Sequence, residues 1–349
     1  MLQAFSRTTP LDASAREEPR DLAEFLSRPA AGDYPPSWYR LCSAAEIHRG
    51  PKLCSILGRD LVAFFASDGE PVVLDNRCVH MGASLSRGCV VGDTIECPLH
   101  HWRFARDGRC VATPSGGDVP RFARQQAYPA AVRGGQVYFF NGRHARFPLP
   151  FFADLEVDEL VAAKPFVETL ECPWYMVGAN AVDTQHFLIA HDRRLLRLPE
   201  VDYPSPHVHR TVCNFEVQGS AFSDWLTRRF GGSSVRLEVT DYGSTMLFAH
   251  SQLARAETFG MLCMKPLSPL RTEVHVTIMS RRSGERWRQV LVDPLRAWIR
   301  RGLIRRFLRS DVELLGGTAY SPHTLIEIDE QFSEYFSWLG GFIRGGDHS

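Results

Sequence analysis

Cys78-Val79-His80 and, after sixteen intervening residues, Cys97-Pro98-Leu99-His100 are the stretches on which the reading of this 349-residue chain turns. Each supplies one thiol and one imidazole. Two thiolates and two imidazoles suit a [2Fe–2S] cluster, with the cysteines on one iron and the histidines on the other, or a tetrahedral zinc ion. Zinc fingers usually pair like with like, C-x-x-C and then H-x-x-H. Here both clusters are mixed, which lets two hairpin tips each give one ligand to each iron. The pattern predicts an electron-carrying cluster set on the loops of a β-rich domain.

Read onward, the first cluster continues as CVHMG and the second as CPLHHW. This wording resembles the Rieske domain of the Rieske non-haem iron oxygenases. A respiratory-type Rieske protein would brace the two loops with a disulfide, but the positions of its extra cysteines hold Ala83 and Leu99 here. The resemblance is therefore to the soluble oxygenase or ferredoxin branch. Most relatives have glycine after the second histidine, whereas this chain has His101, in CPLHHWRFARDGRC. That wording resembles the branch of ketosteroid hydroxylases and cholesterol 7-desaturases, and implies a bulky, apolar substrate such as a steroid or polycyclic natural product. The x-x spacing keeps His100, not His101, as the ligand.

Length suits two domains, and 44% hydrophobic residues suffice for two cores. A formal net charge of zero gives no sign of a nucleic acid partner. The nine cysteines are scattered without secreted-scaffold spacing, so those outside the ligand pair read as buried free thiols. MLQAFSRTTPLDASAREEPRDL has no apolar core of signal-peptide length, and nowhere do eighteen apolar residues run together. The expectation is a cytoplasmic, soluble protein without a transmembrane segment.

Along the chain, residues 1–34 read as an extension with one short helix at DLAEFLS. Residues 35–147 form the Rieske [2Fe–2S] domain, with short β-patterned runs at LCSILG, LVAFFAS, PVVLDN, DTIECP and QVYFFN. The proline-punctuated FPLPFFADLEVDEL reads as a linker over about residues 147–158. Residues 148–349 form a second domain. Its strand candidates are SVRLEVTDYG, STMLFAHSQL, ETFGMLCMKPL and TEVHVTIMSRR, and EQFSEYFSWLGGFI reads as a C-terminal helix. The fold class is α+β: an all-β Rieske domain, then a catalytic domain whose antiparallel sheet is flanked by helices, of helix-grip type by the resemblance.

In Asn180-Ala-Val-Asp183-Thr-Gln-His186-Phe-Leu-Ile-Ala-His191, Asp183 and His186 fall on one face of a continuous helix. His191 lies about 140° further round, so it needs a distortion or a helix end to converge. Two histidines and one carboxylate with open positions make the facial triad of non-haem Fe(II) oxygenases. The D-x2-H-x4-H string is similar to the mononuclear iron motif of the Rieske oxygenases. That resemblance implies that His186 and His191 bind iron, that a later aspartate completes the set, and that Asp183 is a bridge. The resemblance favours Asp311, because the family places this carboxylate on a late helix carrying an acidic residue before an apolar pair; helix phase helps, since Phe307, Asp311, Leu314 and Leu315 fall on one side, and Asp293, Glu313 and Asp329 compete. Asn180 matches a family asparagine near the iron, or serves as a helix-start cap.

The resemblance covers roughly residues 36 to 340 and implies a terminal oxygenase with one [2Fe–2S] cluster and one mononuclear Fe(II) per chain. It implies a homotrimer in which Asp183 accepts from His100 across the interface and from His186 on the iron side. Electrons would come from NAD(P)H through a separate reductase or ferredoxin, since no G-x-G-x-x-G fingerprint is present. Arg87, Arg103, Arg106 and Arg109 are candidates for a docking surface, or simply solvated. Residues 281–309 hold ten arginines interleaved with Leu295, Trp298, Ile299, Leu303 and Phe307. That helix either touches a membrane surface or turns its apolar stripe into the core. The alternative function is a Rieske-type electron carrier without oxygenase chemistry of its own.

Overall fold

Short runs of β-branched and aromatic residues separated by turns become short antiparallel strands in the computed structural model, which describes residues 34–114, 116 and 119–344. Apart from Tyr34, the predicted N-terminal extension and its helix lie outside the described residues. These divide into two compact units, with the break between Val157 and Asp158.

In the first unit LCSILG, LVAFFAS and PVVLDN become Lys52–Ile56, Arg59–Phe65 and Pro71–Asp75, a four-stranded antiparallel sheet completed by Ala127–Tyr128. Trp38–Ser43, Gln136–Phe140 and Ala130–Arg133 make a second sheet. Cys89–Val91, Thr94–Glu96, Arg103–Phe104 and Cys110–Ala112 make a third. The central strands bury both faces, so they read as continuous apolar runs. Leu61, Ala63 and Val73 face a core shared with Tyr39 and Phe139. Val62, Phe64, Val72 and Leu74 face another that contains Leu85, Ile95, Phe104 and the cysteines Cys78 and Cys97. The cluster loops are thus rooted in a core. Phe147–Pro150, inside the predicted linker, is fastened to this unit by Trp38 Nε1–H to Phe147 O (2.9 Å) and by Arg133 to the carbonyls of Leu149 (2.7 Å) and Pro150 (2.6 Å).

The second unit is built on one antiparallel sheet. Its strands run in spatial order Leu160–Ala162, Arg271–Arg281, Ala256–Ser268, Met246–Leu253, Ser234–Tyr242, Val208–Val217 and Arg193–Leu195. Phe166–Leu170 pairs beside Arg271–Arg281, and Glu200–Ser205 beside Val208–Val217. With Ala44–Ile47 in the first unit as α1, the helices here are α2 (Met176–Val182), α3 (Thr184–His191), α4 (Phe222–Phe230), α5 (Arg286–Leu291), α6 (Asp293–Phe307), α7 (Arg309–Leu314) and α8 (Glu330–Arg344). No helix among the described residues is long and apolar enough to cross a membrane.

The expectation that the 281–309 helix turns its apolar stripe into the core does not hold as stated. Leu295, Trp298 and Ile299 on α6 are 55%, 65% and 45% exposed, so they form no dry core. Leu295, Ile299, Leu303 and Phe307 instead line a cavity against the sheet.

Candidate metal centres

The four ligand candidates of the first unit sit on two loops with the same backbone frame. In the first, Cys78 N–H donates to Ala83 O (2.8 Å) and Gly82 N–H to Cys78 O (2.7 Å). In the second, Cys97 N–H donates to Trp102 O (2.8 Å) and His101 N–H to Cys97 O (3.0 Å). Gly82 and His101 are equivalent positions, and both have left-handed backbone, φ +75° and +53°. The turn requires a conformation that glycine adopts freely and histidine only at a cost. His101 is held by its Nδ1 at 2.9 Å from Glu96, which also receives Arg103 at 2.6 Å.

The loops interlock, since the Trp102 ring stacks on His80 at 4.3 Å and 5° and the His80 and His100 rings lie 4.7 Å apart. The site has the marks of a metal site. Nδ1 of His80 is buried without a hydrogen-bond partner among the described residues. Burial pushes the Cys78 thiol up to about 11, with Cys97 beside it adding to the rise, so a cation must stabilise the thiolate. All nine cysteines are free and the loops carry no disulfide. Of the four arginines near these loops, three already face carboxylates: Arg103 on Glu96, Arg106 on Asp68 and Asp93, Arg109 on Asp107.

In the second unit the expectation that Asp183 and His186 share a helix is corrected. Asp183 has extended backbone and separates α2 from α3, where it is the N-cap. Its Oδ1 accepts from the N–H groups of Gln185 (2.9 Å) and His186 (3.1 Å). A short carboxylate at this position satisfies amides that the first turn leaves orphaned. Its Oδ2 makes no hydrogen bond among the described residues. The helix end that His191 needs is present: α3 stops at His191 and Asp192 caps it in the left-handed region, φ 51°.

His186, His191 and Asp311 come together, their ligand atoms all within 4.8 Å of one another. Nδ1 of His186 lies 2.6 Å from Asp183 O, which only accepts, so Nδ1 carries the proton and Nε2 keeps its lone pair. Nε2 of His186 stands 3.3 Å from the Asn180 amide and 3.9 Å from Asp311 Oδ1. Nε2 of His191 is 2.8 Å from the same oxygen. Burial lowers the pKa of His186, favouring the neutral ring a metal requires. Two imidazoles and one carboxylate form a donor set that could hold a divalent iron.

The competing acids stand elsewhere. Asp293 accepts from Ser283 N (2.7 Å) and Oγ (2.6 Å), Glu313 is exposed, and Asp329 accepts from Ile326 N (3.2 Å). The phase argument for Asp311 needs one repair. Leu315 is buried with it, but Leu314, at the end of α7, is 59% exposed. Asn180 lies inside α2 and is not a helix-start cap.

Supporting residues that sequence reasoning missed surround the triad. Phe307 stacks on His191 at 3.7 Å and 13°, and Ser310 Oγ lies 3.5 Å from His191 Nδ1. Beneath α2, Tyr335 O–H donates to Asp241 Oδ2 (2.7 Å), Ser244 N–H to Asp241 Oδ1 (2.6 Å), and Ser244 O–H to Tyr175 O (3.2 Å). Gly178 lets the helix sit on this network, since a Cβ there would lie 2.0 Å from the Tyr335 hydroxyl. Burial raises Asp241 to about 7 and lowers the neighbouring His209 to about 4. Asn180, His186, His191 and Asp311 all line a cavity of about 890 Å³, whose walls are largely apolar, including Leu170, Phe187, Phe215, Leu262, Val276 and Ile278.

Comparison with known proteins bears on the first of these sites by sequence and on the whole chain by fold. The Rieske [2Fe-2S] domain model matches residues 37–123. Over 167 residues the chain is 37% identical to the oxygenase component of 3-ketosteroid-9-alpha-monooxygenase from Mycolicibacterium smegmatis, covering 45% of this chain and 43% of that one. It is 34% identical over 154 residues to aminopyrrolnitrin oxygenase PrnD from Pseudomonas fluorescens, covering 42% and 41%. The match thus spans less than half the length of these curated relatives. Whole-chain likeness is structural. NdmA of Pseudomonas putida CBB5, solved as a mutant with theobromine, superposes with a TM-score of 0.66 at 17% identity over 92% of this chain and 91% of that one. Dicamba monooxygenase, solved with non-haem iron and dicamba, gives 0.61 at 16% over 92% and 98%. The chain thus carries a Rieske [2Fe-2S] domain and shares its overall fold with NdmA and dicamba monooxygenase.

Proposed function

We propose that this chain is the terminal oxygenase component of a multicomponent Rieske monooxygenase, acting on a bulky, mostly apolar organic molecule in the cytoplasm. The observation that carries this reading is the convergence of His186, His191 and Asp311 on the wall of a large apolar cavity. An electron carrier alone has no use for either, so that alternative is not favoured. Relatives named for a 3-ketosteroid and for aminopyrrolnitrin support a polycyclic or aromatic substrate. Which product forms, by hydroxylation, demethylation or desaturation, depends on the C–H bond that the cavity presents.

Cys78, His80, Cys97 and His100 would hold the [2Fe–2S] cluster, and His186, His191 and Asp311 the iron. When bound, these groups supply single electrons and the activation of O₂. The chain's residues do the rest. The Asp183 carbonyl orients His186, Phe307 clamps the His191 ring, and the apolar walls exclude water. Asn180 holds its amide beside His186 Nε2. The unengaged Oδ2 of Asp183 is suited to accept from His100 of the partner subunit, which is the reason to propose a homotrimer. A separate NAD(P)H-dependent reductase or ferredoxin would deliver the electrons.

The test has two stages. Iron analysis of anaerobically reconstituted protein is expected to give about three irons per chain; about two would leave only an electron carrier. A substrate screen with a surrogate reductase then compares NADH consumption with product formed, and oxidised product matching the NADH consumed is the expected result.

A further inference from the structure

Two arginines interrupt the cavity-facing stripe of α6. Residues 296, 300, 303 and 307 recur at i, i+4, i+7 and i+11 and share one helix face. All four line the cavity, but they are Arg, Arg, Leu and Phe. Phe307, at the metal end, stacks on His191. At 1.5 Å per residue, Arg300 lies about 10 Å and Arg296 about 16 Å up the helix from it.

We propose that Arg300, assisted by Arg296, anchors an anionic oxygen group, a carboxylate or sulfate-type head, on an otherwise apolar substrate whose oxidised carbon lies at the His186–His191–Asp311 end. The inference rests on the cavity being the substrate site of the proposed oxygenase.

Burial and charge accounting together single out Arg300. Arg301 donates to Lys164 O (2.7 Å), Arg305 pairs with Glu168 (2.8 Å), and Arg193 with Asp224 (2.7 Å), while Arg306, which also lines the cavity, is exposed to water. Arg300 makes no hydrogen bond or ion pair among the described residues. Glu257 exerts a field on it, but its two oxygens are taken by Arg281 (2.7 Å) and His250 (3.2 Å). Arg296 has Asp293 at 3.6 Å, a carboxylate already accepting twice from Ser283. Burial, reinforced by Arg296, lowers the pKa of Arg300, yet a guanidinium does not give up its proton in a protein. A partly desolvated, unpaired cation across from Leu262, Val276 and Ile278 is unfavourable until an anion arrives. A planar fork matches a carboxylate or sulfate through two parallel N–H···O bonds. The spacing then acts as a ruler, with the anionic head about 10 Å along α6 from the metal end.

The experiment compares two fluorescent probes of nearly the same skeleton on the full-length, iron-loaded protein: 1-anilinonaphthalene-8-sulfonate and uncharged N-phenyl-1-naphthylamine. The wild type is expected to favour the sulfonate. Arg300→Gln is expected to weaken it about tenfold while leaving the neutral probe unchanged. Arg300→Lys is expected to recover much of the difference, and Arg296→Gln to show a smaller loss. Equal weakening of both probes in R300Q would mean a structural role for Arg300 and overturn the proposal; so would sulfonate binding unaffected by the change. Neither measurement needs turnover. A chain that lacks its third iron but keeps the Arg300-dependent preference would refute the oxygenase reading and leave the anion site standing, and the converse result would do the opposite.

Discussion

The two metal-binding constellations of this chain are framed in opposite ways. Each cluster loop closes on itself: six residues, two backbone hydrogen bonds, one left-handed residue, and a root in the local core. The triad has no local frame. His191 and Asp311 are 120 positions apart, and their meeting depends on α3, α6, α7 and the Asp241–Tyr335–Ser244 network under α2. A local frame fails when one of its own residues changes, whereas a tertiary frame also fails from a distance.

The largest effect that would test this contrast is removal of a cluster ligand. Cys97→Ser is expected to abolish the visible absorption of the cluster and lower iron content by about two per chain, while the triad keeps its iron. Asp311→Ala is expected to do the reverse: one iron lost, the cluster spectrum intact and NADH-coupled turnover abolished. Loss of both metals in either variant would break the claim of independent frames.

Asp183→Asn is a finer probe. Asparagine caps a helix as well as aspartate does, so both metals and the thermal midpoint are expected to persist. Turnover is expected to fall about 100-fold, because the carboxylate proposed to bridge the two sites loses its charge. A fully active variant would refute the bridging role. Asp183→Ala would in addition lose the cap, about 1 kcal/mol by denaturant titration.

The buttress should announce itself through pH. The folded state holds a proton on Asp241 up to about pH 7, whereas the unfolded chain releases it near 3.9, so this residue makes stability fall as pH rises between those values. Asp241→Asn removes that penalty and is expected to be more stable than wild type at pH 8 by the order of 3 kcal/mol, with no comparable gain at pH 4. His209 tilts the profile the other way, losing stability as pH drops from about 6.5 towards 4. Thermal midpoints across the range would resolve both slopes.

The smallest effects lie within the cluster frame. Gly82→Ala forces a Cβ into left-handed backbone and is expected to cost about 1 kcal/mol. His101→Gly relieves the same strain but loses the Glu96 contact and frees the unfolded chain, so it is expected to stay within about 0.5 kcal/mol of wild type.

The same contrast explains what was legible from the residues alone. CVHMG and CPLHHW carry their frame with them, so both loops and their candidate ligands were readable. The strand runs of the first unit were readable because their neighbours in sequence are their partners in the sheet. The α3 motif was half readable: the histidine spacing announced a site, but the break at Asp183 depends on the chain turning between α2 and α3, and the residue was misread as helical. Asp311 was reached through resemblance and approximate phase, with Leu314 placed on the wrong side. Asp241, Ser244 and Tyr335 were out of reach, because nothing short-range links a strand, a turn and a terminal helix. The α6 stripe was visible as a pattern, but its arginines were read as solvated when three arginines of that helix, Arg296, Arg300 and Arg306, line a cavity.

The paired loop frames bear on electron transfer as well as on ligand placement. A one-electron change in the proposed cluster would alter the charge held between Cys78, His80, Cys97 and His100, and the surroundings would have to relax to the new charge each time. Here four backbone hydrogen bonds and the Trp102–His80 stack exist in the polypeptide itself. A chain closed in this way has little left to rearrange, and a small reorganisation energy is what allows a modest driving force to move an electron quickly.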